Sequence, residues 1–312
     1  MGTVKRMETT GSVQGHVQQI TDIKTFAESV KHLLEQAYPS AKVDILEVTK
    51  NNGVVRTGVS ILEDGRNVVP AIYLEEIFER YQNGMSLPQV CRVLEEIHQS
   101  VGRDGHFDTR YIRDFATIKG RICYKLINAE QNAAWLREIP HRLYQDLAII
   151  YYVLVERNSM GGACITVRND VMERWGVDES ALYELARKNT PVLLKAKIAP
   201  MADVLRGFMD VKDFKDESSL YVATNEHRAN GAIVMLYDEV LEKFAAWTNG
   251  DFYILPSSIH EALFLPAESC EKECEILEMV RQINKDCVPS EEILSDSLYR
   301  YDAKEGCVKM IR

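Results

Sequence analysis

The sequence predicts an α+β fold of antiparallel sheets built from β-hairpin-plus-helix units, with helices packed on one face. Three observations carry this. Stretches of period-two apolar alternation occur in pairs separated by Gly- or Asn-containing turns, and these pairs lead into segments whose apolar residues recur every three or four positions. Single strands alternating with crossover helices, the mark of a parallel sheet, are not the prevailing pattern. The apolar run Leu147–Val155 is short and rich in β-branched and aromatic residues, which suits a strand buried on both faces.

In chain order, residues 1–19 are polar and lack an apolar segment after Lys5 and Arg6, so they read as a disordered leader or an expression remnant and not as a secretory signal. Thr21 and Asp22 are N-cap types ahead of Ile23, Phe26, Ala27, Val30, Leu33, Leu34 and Ala37, an amphipathic helix ended by Pro39. A strand follows through Val43 and Ile45. Asn51-Asn52-Gly53 supplies positive φ for a turn, Val55–Ile61 alternates as a second strand, and Asp64-Gly65 turns into a third ending at Ile72. The period then lengthens for two helices, the first stopped by Gly84 and the second opened by a Ser86/Gln89 capping box. Residues 20–102 thus form an α-β-β-β-α-α unit, and the loop Gly102–His106 separates it from a C-terminal α+β domain over 107–312.

In that second domain, Ile122–Leu126 reads as a strand and Glu130–Ile139 as a helix stopped by Pro140. The buried strand from Leu147 turns at Ser159–Gly162 into a second strand, with helices opening at Asn169 and Asp178. Tyr221 placed over Tyr152 brings Gly231 over Gly162, Val240 over Val171 and Glu242 over Glu173, so 151–175 and 220–244 read as two β-β-α repeats. Phe252–Leu255 is a strand, 272–286 a helix, and Leu298–Tyr301 with Cys307–Ile311 a terminal hairpin turning at Lys304-Glu305-Gly306.

Charge and cysteine content narrow the function. With 47 acidic against 37 basic residues and a net charge of −10, the chain repels a phosphate backbone, and Lys195, Lys197 and Arg206 read as a solvated helix face; no nucleic-acid partner is expected. No apolar run approaches the roughly 20 residues that span a bilayer as a helix, so no membrane association is expected either. Seven scattered cysteines without a disulfide-framework spacing point to a reducing, cytoplasmic compartment. Cys270 and Cys274 lack a companion pair or histidine at ligand spacing, so no metal and no cofactor is assigned. Cys164 reads as an inert core thiol.

Nucleotide-binding, zinc-protease and α/β-hydrolase signatures are absent. The densest polar group is Pro256-Ser257-Ser258-Ile259-His260-Glu261. An active-site reading makes Ser257 or Ser258 the nucleophile or anion binder, His260 its base and Glu261 the group that orients the imidazole. The competing reading is an N-cap opening a helical turn with His260 at its surface, because residues one or two apart on a helix do not face each other. His141 and His227 read as solvated loop residues, and His32 and His98 as helix histidines.

Four segments, Lys50–Gly53, Pro70–Glu75, Trp175–Val177 with Leu182–Ala186 and Asn189, and Pro256–Glu261, resemble a family of uncharacterised proteins from anaerobic gut Firmicutes, a domain of unknown function. The likeness runs from about Ile20 onward and leaves out the polar leader. It implies a bacterial cytoplasmic setting and one architecture, and it brings no activity, cofactor or catalytic residue. Two functional readings follow. The leading one is a non-enzymatic interaction or regulatory module with a protein partner; the alternative is a hydrolase or transferase centred on Ser257, Ser258, His260 and Glu261.

Overall fold

In the computed structural model the described residues are 20–63, 71–102, 114–158, 161–206, 219–269 and 272–311. They fall into two compact units, Met1–Val48 with Val55–Phe107, and Thr49–Val54 with Asp108–Arg312. The expected leader, the Asp64-Gly65 turn, the loop at 103–106, Ser159-Met160 and Cys270 lie outside the described residues.

The first unit runs α1 (Ile23–Ala37), β1 (Lys42–Thr49), β2 (Val55–Leu62), β3 (Ile72–Tyr73), α2 (Glu75–Gln82) and α3 (Leu87–Gly102). The three strands form a sheet in that order. Asp22 caps α1 by accepting the Thr25 N–H at 2.8 Å, and Gln89 Oε1 accepts the Ser86 N–H at 2.9 Å in the expected capping box. Phe26, Val30 and Leu34 of α1 pack with Val59, Ile61, Leu74 and Leu94 into one core.

The second unit contains β4 (Ile122–Asn128), β5 (His141–Tyr144), β6 (Leu147–Asn158), β7 (Gly161–Thr166), β8 (Ala196–Pro200), β9 (Tyr221–Asn225), β10 (Phe252–Ser258), β11 (Glu261–Pro266), β12 (Leu298–Asp302) and β13 (Cys307–Ile311). Its helices are α4 (Phe115–Ile118), α5 (Ala133–Leu136), α6 (Asn169–Trp175), α7 (Glu179–Leu193), α8 (Met201–Arg206), α9 (Asp238–Thr248) and α10 (Glu273–Cys287). Antiparallel sheets with helices against them make the fold α+β, as expected. One sheet has the order β4-β6-β5, with β7 also on β6; the other is six-stranded, β13-β12-β10-β11-β9-β8.

Strand β6 is buried on both faces. Leu147, Ile149, Tyr151 and Val153 enter the main core with Ile254, Phe264 and Tyr299 of the six-stranded sheet, while Ala148 and Ile150 pack under Ile127, Leu136 and Ile139. The opposite face of the six-stranded sheet, through Leu255 and Leu263, is covered by Ile276 and Val280 of α10. A polar knot joins the two sheets: the Asp146 carboxylate accepts hydrogen bonds from Ser295 at 2.6 Å, Ser297 at 2.9 Å and the Tyr299 hydroxyl.

Several expectations change. The repeat fails in its second copy, where 231–236 is a 3-10 helix and not a strand. The reason is close approach of backbones. A Cβ on Gly231 would lie 2.1 Å from Thr224 Oγ1 and 2.4 Å from the His260 carbonyl oxygen, so the segment threads between neighbours instead of pairing along them. The helix expected over 130–139 shrinks to α5, because Asn128 and Asn132 hydrogen-bond local backbone: Asn128 Oδ1 accepts the Gln131 N–H, and Asn132 Nδ2 donates to the Asn128 carbonyl. His141 opens a strand paired with β6 instead of a loop. Lys197 sits on edge strand β8 instead of a helix face, a position where lysine discourages strand addition. Cys164 is exposed, since β7 pairs with β6 alone.

Two predictions follow from this packing. Gly231→Ala lowers stability by about 3 kcal/mol in urea denaturation, whereas Gly250→Ala, whose Cβ meets nothing within 4 Å, changes it by less than about 0.5 kcal/mol. Burial, aided by Glu179 at Tyr151 and by Asp146 at Tyr299, pushes the hydroxyls of Tyr151, Tyr237 and Tyr299 well above the ordinary tyrosine value. A raised folded-state pKa contributes stability that is complete below the unfolded value near 10 and is lost as pH rises above it. Tyrosinate absorbance at 295 nm therefore shows these three titrating only together with loss of the circular-dichroism signal.

Candidate functional site

Pro256–Glu261 forms neither a helical turn nor a loose loop: it is the end of β10 and its hairpin into β11. The pairing register shifts between Leu255 and Ser258, where Pro256 contributes no amide to the ladder. The turn is held from several sides. Ser258 Oγ accepts the His260 N–H at 3.1 Å, the Ile259 N–H donates to the Glu292 carbonyl at 2.8 Å, and the Thr224 hydroxyl donates to the His260 carbonyl at 2.7 Å. These bonds fix the backbone, and the backbone aims the imidazole.

The Asn230 N–H donates to His260 Nδ1 at 3.2 Å, so in the neutral ring the proton sits on Nε2, which lies 3.6 Å from Glu292 Oε1. The sequence-predicted residues are thereby separated. Ser258 is buried and bonded to the His260 main chain, not to its ring. Glu261 lines a different cavity, beside Lys197, Thr224 and Arg228. Ser257 lies on β10, and the carboxylate at His260 is Glu292, not Glu261.

His260 and Glu292 open onto a cavity of about 360 Å³ whose other walls include Lys50, Lys125, Ile127, Trp135 and Ile259. The Lys50 wall comes from the Asn51-Asn52-Gly53 turn. Asn52 takes φ +59° and Gly53 φ +69°, and the two asparagine side chains then anchor the turn. Asn52 Nδ2 donates to the carbonyls of Ser290 at 2.8 Å and Ile293 at 2.7 Å, and Asn51 Nδ2 to that of Glu291 at 2.8 Å. Asn132 Oδ1 accepts the Asn52 N–H, and its Nδ2 donates to Asn52 Oδ1, both at 2.9 Å. The bonds that hold Lys50 in place thus also hold the Glu291-Glu292 segment.

Lys125 projects from β4 on the face shared with Ile127, half-buried, with its ammonium 5.9 Å from the Tyr152 ring centre. No described carboxylate pairs with it. Desolvation lowers its pKa, the thiol of Cys164 opposes this, and the like charge of Lys50 adds to it. The arrangement offers a cation without a counter-ion at one part of the wall, a His–Glu pair at another, and the indole of Trp135 with two isoleucines between. Sequence reasoning found His260 and missed Lys125; the one available signal was a lysine inside an otherwise apolar strand, Ile122–Ile127. No group of three or more metal-ligating side chains occurs among the described residues.

The histidine geometry is directly testable. Long-range ¹H–¹⁵N correlation of the imidazoles gives His260 the pattern of an Nε2–H tautomer at neutral pH, and an Nδ1–H pattern would contradict the Asn230 hydrogen bond.

No curated protein and no solved structure matches the chain. The model of the Family of unknown function (DUF5688) matches residues 23–303. From the first turn of α1 to the final hairpin, the chain is a member of that family.

Proposed function

We propose that the chain is a non-enzymatic regulatory module whose cavity at Lys125, His260 and Glu292 binds a small anionic molecule. The observation that carries this is Lys125, a half-buried ammonium that lines a cavity and has no carboxylate partner among the described residues. Buried charges are almost always paired, so an anion supplied from solution is the natural complement. Trp135, Ile127 and Ile259 give that molecule apolar surface to cover, as small-ligand sites do.

The hydrolase or transferase alternative draws less support. A serine nucleophile needs a base whose lone pair faces its hydroxyl, but the Nδ1 lone pair of His260 already accepts the Asn230 amide and Nε2 faces Glu292. A bacterial cytoplasmic setting is part of the proposed reading, supported by the described cysteines Cys91, Cys123, Cys164, Cys274, Cys287 and Cys307, none of which is in a disulfide. Relay to a protein partner is part of it as well, supported by exposed apolar side chains such as Trp247 on α9. No described helix is long and apolar enough to cross a membrane.

Calorimetric titration with a panel of small carboxylic and phosphoric acids tests the proposal. At least one binds with a Kd below about 1 mM, and Lys125→Met weakens it by about tenfold or more, near 1.4 kcal/mol, while the urea midpoint does not fall. Absence of binding across the panel, or binding indifferent to Lys125→Met, would overturn the reading.

A further inference from the structure

Resting on the anion-binding reading, we infer that the molecule taken by this cavity is a zwitterion of the α-amino-acid class, its carboxylate at Lys125 and its ammonium at Glu292. The cavity is lined by two lysines, Lys50 and Lys125, by two carboxylates, Glu291 and Glu292, and by His260. Lys125 is influenced by Lys50 and by the Cys164 thiol and by no carboxylate. Glu292 Oε1 lies 3.6 Å from the imidazole Nε2 of His260.

Glu292 is presented from fixed backbone: its carbonyl accepts the Ile259 N–H, and its own N–H donates to the Pro289 carbonyl at 2.7 Å. At 3.6 Å the His260 Nε2 lies beyond hydrogen-bond distance, so the Glu292 carboxylate, with about four lone-pair sites, keeps unused acceptor capacity. This capacity suits the three donors of an ammonium group. A plain carboxylic acid would satisfy Lys125 and leave that capacity to water, and a plain amine would leave the lysine unpaired. Trp135, Ile127 and Ile259 share the cavity, and the 360 Å³ it encloses accommodates one amino acid with an apolar side chain.

The test is calorimetric titration of the full chain with the twenty common L-amino acids. The tightest is then compared with its deaminated carboxylic acid and its decarboxylated amine. The amino acid binds about tenfold or more tightly than either analogue, a difference worth about 1.4 kcal/mol. Glu292→Gln removes its advantage over the carboxylic acid without weakening binding of the acid, and Lys125→Met weakens both. A carboxylic acid that binds as tightly as its amino acid overturns the zwitterion and leaves the anion site standing. Failure of every acid and amino acid removes both. Circular dichroism and urea midpoints of the two variants establish that each is folded, so that lost binding is read as lost recognition.

Discussion

The close approach of three backbones at Gly231 is the constraint on which the second unit depends. Thr224 on β9, the His260 carbonyl in the β10–β11 turn and the start of the 231–236 segment meet where no side chain fits. Because that space is closed, the segment enters the core as a tight 3-10 helix with Ala232, Ile233, Val234 and Met235 fully buried. The same contact sets the imidazole, since the residue before the glycine donates its amide to His260 Nδ1. Fold and site therefore share one piece of geometry. A methyl group there would displace the core segment and release the histidine together.

A second coupling holds the Lys50 wall. The turn at Asn51–Gly53 needs two consecutive left-handed residues, which asparagine and glycine adopt at low cost. Their side-chain bonds run to 290–293 and to Asn132, not to solvent. Lys50, Glu291 and Glu292 are thus positioned by a few amide–carbonyl bonds whose donors and acceptors have short side chains. Such bonds hold a wall more rigidly than ion pairs between long ones, which lose more rotamer freedom.

Much of the fold was legible because it rests on local chemistry. Asp22, the Ser86/Gln89 box, Gly84 and the backbone of the Asn-Asn-Gly turn act within three or four residues of themselves, and periodicity located α1, α7, β2, β6 and α10. What the sequence concealed depends on distant neighbours. Residues 231–236 carry the apolar content of a buried strand, and only the crowding around Gly231 denies them a ladder. His141–Tyr144 is too short and too polar to declare itself, and is made a strand by β6. In the site, Pro256–Glu261 stood out as a polar cluster, yet proximity along the chain misled about partnership. A tight hairpin sends His260 and Glu261 to different cavities, and the carboxylate that meets the imidazole arrives from 32 residues further on.

The contrast between Asp146 and Lys125 shows why one polar group is structural and the other points outward. Asp146 is surrounded by three hydroxyl donors, so its carboxylate is stabilised inside the fold and asks for nothing more. Lys125 sits in a comparably crowded place, with an aromatic ring and a like charge for company. A chain selected for stability alone would gain from an uncharged residue of similar volume at that position, since removing an unpaired, desolvated ammonium relieves its cost. On the anion-binding reading proposed above, the stability given up by retaining the lysine is recovered when an anion enters the cavity and binds the folded state in preference to the unfolded one.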